Sequence, residues 1–319
     1  MRRRATKEEV NKKSTKPNGL LTYNDIPEWM KDNNFITHGY RPVSHSVKQS
    51  LRSIFNSIHN ESLNIHSHLW GAIFFLLALV AISTDTFHRK HPNYGWKDYL
   101  GFTIFILSAI TCLSFSFLYH TFSNHSKEFA NTWHALDYAG ICILIAGSVR
   151  ILLPLYPDLH HLQFVPCLYY GFYCSPAFQI FYIASMLIAS SVALYIVLHP
   201  HYRRPAFRKA RTTVFIALGL SGILPITHAI ANDGLGVMRT MALDYVVLSG
   251  MMYILGATIY ACRFPEAYLS HKFNFSYVGA SHQIFHFFVV AAAVCHYLAI
   301  RSSQSFYGDP EFDYCHAYK

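Results

Sequence analysis

YLGFTIFILSAITCLSFSFLYHTF, residues Tyr99 to Phe122, contains no Asp, Glu, Lys or Arg and carries one histidine near its end. As a helix rising 1.5 Å per residue it spans about 36 Å, enough to cross about 30 Å of hydrocarbon. Six more segments nearly free of these charges lie around it: Ile65 to Thr84, Trp133 to Leu153 (with Asp137 and Arg150), Ala177 to Leu198, Thr212 to Ala231, Met241 to Cys262 (with Asp244) and Tyr277 to Ile300. The uncharged run from Leu159 to Tyr202 is longer than one span, but Pro166, Gly171 and Pro176 mark a loop before Ala177. The segments are about twice the length of outer-membrane strands. The fold class is therefore all-α, a polytopic bundle of seven transmembrane helices. Composition agrees: 52% of residues are hydrophobic and 13% charged, about half the roughly 25% of a soluble domain. The same numbers exclude a largely disordered chain. Seven cysteines without a C-x-x-C pair give neither a disulfide scaffold nor a zinc ribbon; a disulfide among Cys167, Cys174 and Cys315 stays open.

The net charge of +9 on a soluble protein would point to nucleic acid. Here the charges instead set orientation. With the N-terminus cytoplasmic, 19 Lys and Arg fall inside and seven outside. The expected organisation is a partly disordered cytoplasmic segment (1–42, with Met1 to Asn18 unstructured), an amphipathic interfacial helix (43–60), the transmembrane domain (61–300) and an extracytoplasmic tail (301–319). The interfacial helix is read from Val43, Val47, Leu51, Ile54 and Ile58, with Lys48 and Arg52 between them. The first 60 residues have no signal-peptide pattern, and the expected location is the endoplasmic reticulum or plasma membrane. The sequons at Asn60, Asn124 and Asn274 fall on the inner side and are expected to carry no glycan. Nucleic acid is excluded as a partner; the oligomeric state is left open.

Ionisable groups inside a bilayer are costly and usually functional. His120 lies 21 residues after Tyr99, about 31 Å down the second span. Asp137 falls in the first turns of the third span, and His282 and His286 in the second and third turns of the seventh. Glu61, Asn64 and His68 open the first. All share one layer near the inner face. His282 and His286, four apart, project from one helix face and can hold two corners of a zinc tetrahedron. His120 supplies a third and leaves the fourth for water, whose pKa such sites bring towards 7. Asp137 is the candidate general base, and Ser116, one turn before His120, the candidate to orient a ligand or stabilise an oxyanion. Glu61 and Asn64 also suit the cap of the first span. His66, His228 and His296 read as structural and Asp244 as an interfacial or capping residue; His296 lies about 15 Å beyond His286.

The motifs ESLNIHSH (Glu61 to His68), SFLYH (Ser116 to His120), LDYAGI (Leu136 to Ile141) and SHQIFH (Ser281 to His286) resemble those of the progestin and adipoQ receptor family. That family includes adiponectin receptors, fungal zinc-homeostasis proteins and, more distantly, haemolysin-III-like proteins. HGYRP (His38 to Pro42), LYYGFYCSP (Leu168 to Pro176), GLSGILP (Gly219 to Pro225) and RFPE (Arg263 to Glu266) extend the resemblance over about Asn34 to Ile300. It implies a seven-helix bundle with an inside N-terminus, Zn2+ on His120, His282 and His286, and Asp137 beside a zinc-bound water. It also implies hydrolysis of ceramide-like lipid amides, with Tyr138, Arg211 and Tyr260 near the lipid cavity. Membrane lipids are then one class of partner and an extracellular or sterol-like ligand another. The stretch between Gly147 and Leu168, with Arg150, Asp158, His160 and His161, looks longer than in adiponectin receptors. This gives the chain more likeness to the fungal branch than to the animal hormone receptors. The competing expectations are a receptor with structural zinc and an ion transporter; the largely apolar outer halves of the spans weigh against the latter.

Overall fold

The structure is a computed structural model that describes residues 19–84, 96–147, 172, 175–202 and 204–307. Its helices are α1 (Val47–Asn56), α2 (Ser62–Ile82), α3 (Trp96–Phe122), α4 (Lys127–Gly147), α5 (Pro176–Leu198), α6 (Arg208–Leu220), α7 (Ile223–Thr240), α8 (Leu243–Cys262), the short α9 (Glu266–Leu269) and α10 (Ser281–Tyr307). Neighbours in space run α2, α3, α4, α5, α6, α8, α10 and back to α2, so the spans close into a ring; α10 also touches α3. Between α2, α3 and α10 lies the main apolar core, with Phe75, Phe102, Phe105, Ile106, Leu113 and Ala293. A second cluster of Tyr138, Cys142, Ala193, Val197 and Leu218 joins α4, α5 and α6. The outer faces are apolar as well: Trp70, Leu77, Phe181, Ile188, Met251 and Leu255 are all exposed. Such a belt suits hydrocarbon as its solvent.

Among the described residues, six segments are long and apolar enough to cross a membrane. The seventh member of the ring, α4, is of similar length but carries Asn131, His134 and Asp137 in its first half. The expected fifth span is interrupted. α6 and α7 form one crossing unit, Pro205–Thr240, broken between Leu220 and Ile223. Pro225 is the third residue of α7, where a helix tolerates a missing N–H. Gly234 adds a left-handed kink at φ 82°. The last helix runs past the expected boundary at residue 300 to Tyr307. Arg150, Asp158, His160, His161, Cys167, Cys174 and Cys315, and the segment Met1 to Asn18, lie outside the described residues.

The amphipathic helix is present as α1, capped by the Ser46 hydroxyl accepting from the Gln49 N–H at 3.3 Å. Its apolar residues divide rather than form one stripe. Ile54 turns inward, while Val47, Leu51 and Phe55, with Ile58 just beyond, are exposed. Ser50 and His66 lock the helix down: Ser50 donates to the Asn124 Oδ1 at 3.0 Å, and His66 Nε2 meets the Ile54 carbonyl at 3.0 Å. The Asn124 amide donates to the Pro42 carbonyl at 2.9 Å, and that of Asn60 to Glu61 at 3.0 Å. Both asparagines are buried, and a glycan on either side chain is incompatible with this packing.

The helices that carry the candidate site pack on glycine. A Cβ on Gly140 of α4 would sit 3.0 Å from the Cys112 Cα of α3, and one on Gly256 of α8 would sit 2.8 Å from the Phe288 Cβ of α10. Gly140→Ala is expected to destabilise by about 1–3 kcal/mol, the usual cost of overpacking against backbone. Gly250→Ala, where nothing lies within 4 Å, should not. Chemical denaturation of both variants in detergent checks this.

Candidate metal centre

Three imidazoles converge where α3 ends and α10 begins. The His282 Nε2 lies 3.1 Å from the His120 Nε2 and 3.2 Å from the His286 Nε2. His120 and His286 are buried and His282 nearly so. The other ring nitrogens decide what these contacts are. The His286 Nδ1 faces the Asn64 main-chain carbonyl at 3.1 Å; a carbonyl only accepts, so Nδ1 carries the proton and Nε2 a lone pair. The His120 Nδ1 faces the Glu61 carboxylate at 2.7 Å, which fixes the same tautomer there.

Glu61 is itself held in place: it meets the His120 Nδ1 at 2.7 Å and accepts from the Asn64 side-chain amide at 2.7 Å. Two lone pairs thus point at the one Nε2 of His282, which has a single proton or a single lone pair to offer. Hydrogen bonding cannot satisfy all three. A cation between them can. Tetrahedral zinc with bonds of about 2.0–2.1 Å separates its nitrogens by about 3.3 Å, close to the spacing found. The donor set therefore fits a metal ion, and Glu61 behind His120 is the carboxylate–histidine support common at such sites.

Two residues of the supporting frame were not singled out from sequence. Arg41 is buried and closes the end of α3: Nη2 donates to the His120 carbonyl at 2.6 Å and Nη1 to the Thr121 carbonyl at 3.0 Å. Burial lowers its pKa to about 10, opposed by Glu61; it stays cationic at neutral pH and complements the helix C-terminus. Glu266, fully buried, accepts from the Ser281 N–H at 2.8 Å and the Ser281 hydroxyl at 2.5 Å, and from the Asn33 amide at 3.1 Å. It caps α10 one residue before His282. Both residues sit in the motifs HGYRP and RFPE, which were the available signal.

Helix boundaries shift two expected positions. α4 begins at Lys127 rather than Trp133, so Asp137 lies ten residues in, about 15 Å along the helix. Its neighbours on α3 are Ser116 and Cys112, one and two turns before His120. Asp137 is not one of the three residues whose ligand atoms converge. α10 begins at Ser281 rather than Tyr277, which puts His282 in the first turn and His286 in the second; Gly279 at φ 84° ends the loop before it.

All the candidate residues line one cavity of about 790 Å³: Glu61, Asn64, His68, Ser116, His120, Asp137, Tyr138, Arg211, Tyr260, His282 and His286. Arg211 stacks over the Tyr138 ring at 5.1 Å and donates to the carbonyls of Tyr202 and Arg204. The Tyr260 ring lies 5.0 Å from that of His282. The histidines read as structural have other partners: His228 Nδ1 meets the Tyr182 hydroxyl at 2.9 Å, and His296 packs on Phe105 at 5.1 Å. Asp244 lies in the first turn of α8.

A closed ring of membrane-length helices with a buried three-imidazole cluster at one end defines a polytopic membrane protein with a candidate metal centre. The chain belongs to the haemolysin-III-related family, whose model matches residues 56–297. It is 38% identical over 280 residues to the adiponectin receptor protein of Drosophila melanogaster, covering 87% of this chain and 58% of that protein. It is 36% identical over 288 residues to the ADIPOR-like receptor IZH2 of Saccharomyces cerevisiae, covering 89% and 84%. To heptahelical transmembrane protein 1 of Arabidopsis thaliana it is 34% identical over 292 residues, covering 90% and 82%. The chain thus spans less than two thirds of the animal relatives it matches and most of the fungal and plant ones.

Glu61→Gln keeps the shape beside His120 and removes the charge. It is expected to weaken metal retention about 10–100-fold, measured as metal held against a chelator series.

Proposed function

We propose that this chain is an intramembrane zinc-dependent hydrolase of long-chain amides of the ceramide class. The observation that carries the reading is the convergence of the three Nε2 atoms at the wall of a large, mostly apolar cavity inside a membrane-spanning ring. Three imidazole nitrogens suit zinc. A zinc ion held there would supply a Lewis acid for the amide carbonyl and a water acidified towards pH 7. The remaining work falls to the chain's own residues.

The cavity, at the upper end of the usual 300–1,000 Å³ of ligand pockets, takes the acyl chain along Ile141, Phe215, Ile216 and Val246. Asp137, half-buried beside Ser116, accepts the proton of the attacking water and returns it to the amine as the C–N bond breaks. Ser116 donates its one O–H to the Asp137 carboxylate and, once Asp137 has taken the proton, can turn that O–H to the developing oxyanion. Tyr138, braced by Arg211, and Tyr260, packed on His282, shape the cavity beside the scissile amide. One water is consumed; a fatty acid and a long-chain base leave. The charge distribution supports an N-terminus and metal site on the cytoplasmic side, in the endoplasmic reticulum or plasma membrane. A receptor-type role accords with the relatives that are named receptors; its coupling to lipid and zinc homeostasis, with an extracellular or sterol-like ligand, rests on the family resemblance of the motifs.

Purified protein in lipid should contain about one zinc per chain and release fatty acid from ceramide. Chelation should stop this, and added zinc should restore it. His282→Ala should lose both zinc and turnover; unchanged turnover in that variant without metal would sink the reading.

A second reading is a receptor with structural zinc. It is favoured by the position of Asp137 outside the converging set and by the way the three ligands tie α3 to α10. Asp137→Asn separates the two. Under the hydrolase reading it keeps zinc and loses about 10²–10⁴ in kcat; under the structural reading it keeps zinc and signalling, and hydrolysis is absent from the wild type as well.

A further inference from the structure

One turn apart on α2, Asn64 and His68 carry three polar atoms that neither the metal centre nor the mechanism uses. His68 is 3% exposed and Asn64 5%. Both ring nitrogens of His68 and the Oδ1 of Asn64 are buried without a hydrogen-bond partner. Both residues line the cavity. The rest of each side chain is fixed. Asn64 donates its amide to Glu61 at 2.7 Å, which aims Oδ1 away from that carboxylate. His68 stacks on His286 with ring centroids 3.7 Å apart and planes within 10°. A buried polar group left unmatched is costly, so three together, beside the imidazole cluster, describe a ligand subsite.

The chemistry of the subsite restricts the ligand. Asn64 Oδ1 needs a donor. A neutral imidazole offers one donor and one acceptor. Hydroxyl groups, which both donate and accept, answer all three atoms; an alkyl chain answers none. We infer that Asn64 and His68 form the polar subsite that receives the hydroxyl groups on the amine portion of a long-chain amide. The inference rests on the hydrolase reading for its substrate class and adds a discrimination that reading does not contain: hydroxylated amides over plain N-alkyl fatty amides. A site built to hydrogen-bond a hydroxyl rejects the analogue lacking it far more strongly than an apolar pocket rejects an added group.

The test uses the full chain in lipid nanodiscs with two probes, N-palmitoyl sphingosine and an N-alkyl palmitamide of the same chain length without hydroxyls. Binding is followed by native mass spectrometry, turnover by fatty-acid release, and zinc by elemental analysis. The wild type is expected to favour the hydroxylated amide at least tenfold. His68→Phe keeps the ring stack on His286 and removes both nitrogens; it should retain zinc and bring the preference close to one. Asn64→Ala, whose main-chain carbonyl still holds His286, should reduce the preference in part.

Equal handling of the two amides by the wild type would overturn the inference while leaving hydrolysis standing. So would an unchanged preference in His68→Phe. Loss of zinc in His68→Phe would assign the residue to the metal frame and likewise overturn it. Hydroxyl-dependent binding without turnover, abolished by His68→Phe, would uphold the subsite and sink the hydrolase reading.

Discussion

Three imidazoles turn ring nitrogens toward one point, with the His282 Nε2 3.1 Å from that of His120 and 3.2 Å from that of His286, a crowding that hydrogen bonding alone does not satisfy and a cation would. Much of this end of the molecule serves to keep His120, His282 and His286 in that position. Glu61 and the Asn64 carbonyl fix two tautomers from α2. Arg41 closes the last turn of α3 at the carbonyl of His120 itself. Glu266 starts α10 one residue before His282. Gly140 lets α4 approach α3 closely enough to bring Asp137 beside Ser116. Each contact is modest alone, and together they set a geometry that two helix ends would not otherwise share.

The segment before the first span belongs to this frame. Leu21 and Tyr40 pair through their backbones, Asn33 reaches Glu266, and Arg263 reaches the Asp32 carbonyl at 2.5 Å. Residues ahead of the membrane thus brace the loop that launches the last helix, and Arg41 in the same segment braces the end of α3. The cavity is bounded on this side by residues 29–33, 36, 40 and 41 as well as by the spans. Lipid-facing walls and a polar, hydrogen-bonded base divide the two demands on the fold, solubility in hydrocarbon and precision at the imidazole cluster.

Much of this was legible in the sequence. Runs of bilayer length with few or no charges give the spans, and the four-residue spacing of His282 and His286, with His120 at a matching depth, gives the cluster. What sequence could not supply has two physical sources. Helix starts depend on caps that arrive from elsewhere in the chain: Glu266 is 15 residues from the Ser281 it caps. Extra polar turns also do not register as hydrophobic span, which displaced Asp137 by six residues along α4. Partner tautomers and orphaned polar atoms such as those of His68 exist only once two helices meet. The break within Pro205–Thr240 was carried by Gly222 and Pro225, whose ambiguity inside apolar helices hides such features.

The order of the ligands along the chain has a consequence for synthesis. His120 lies in the first half of the protein, and both other imidazoles lie in the helix that closes the ring against α2 and α3. A nascent chain shorter than 286 residues has at most two of the three nitrogens, and one released before α10 joins its neighbours has no enclosed cavity. A metal ion held by this set would therefore be taken up late in the biogenesis of this fold, and its retention would mark a chain that has been made and assembled to its last helix.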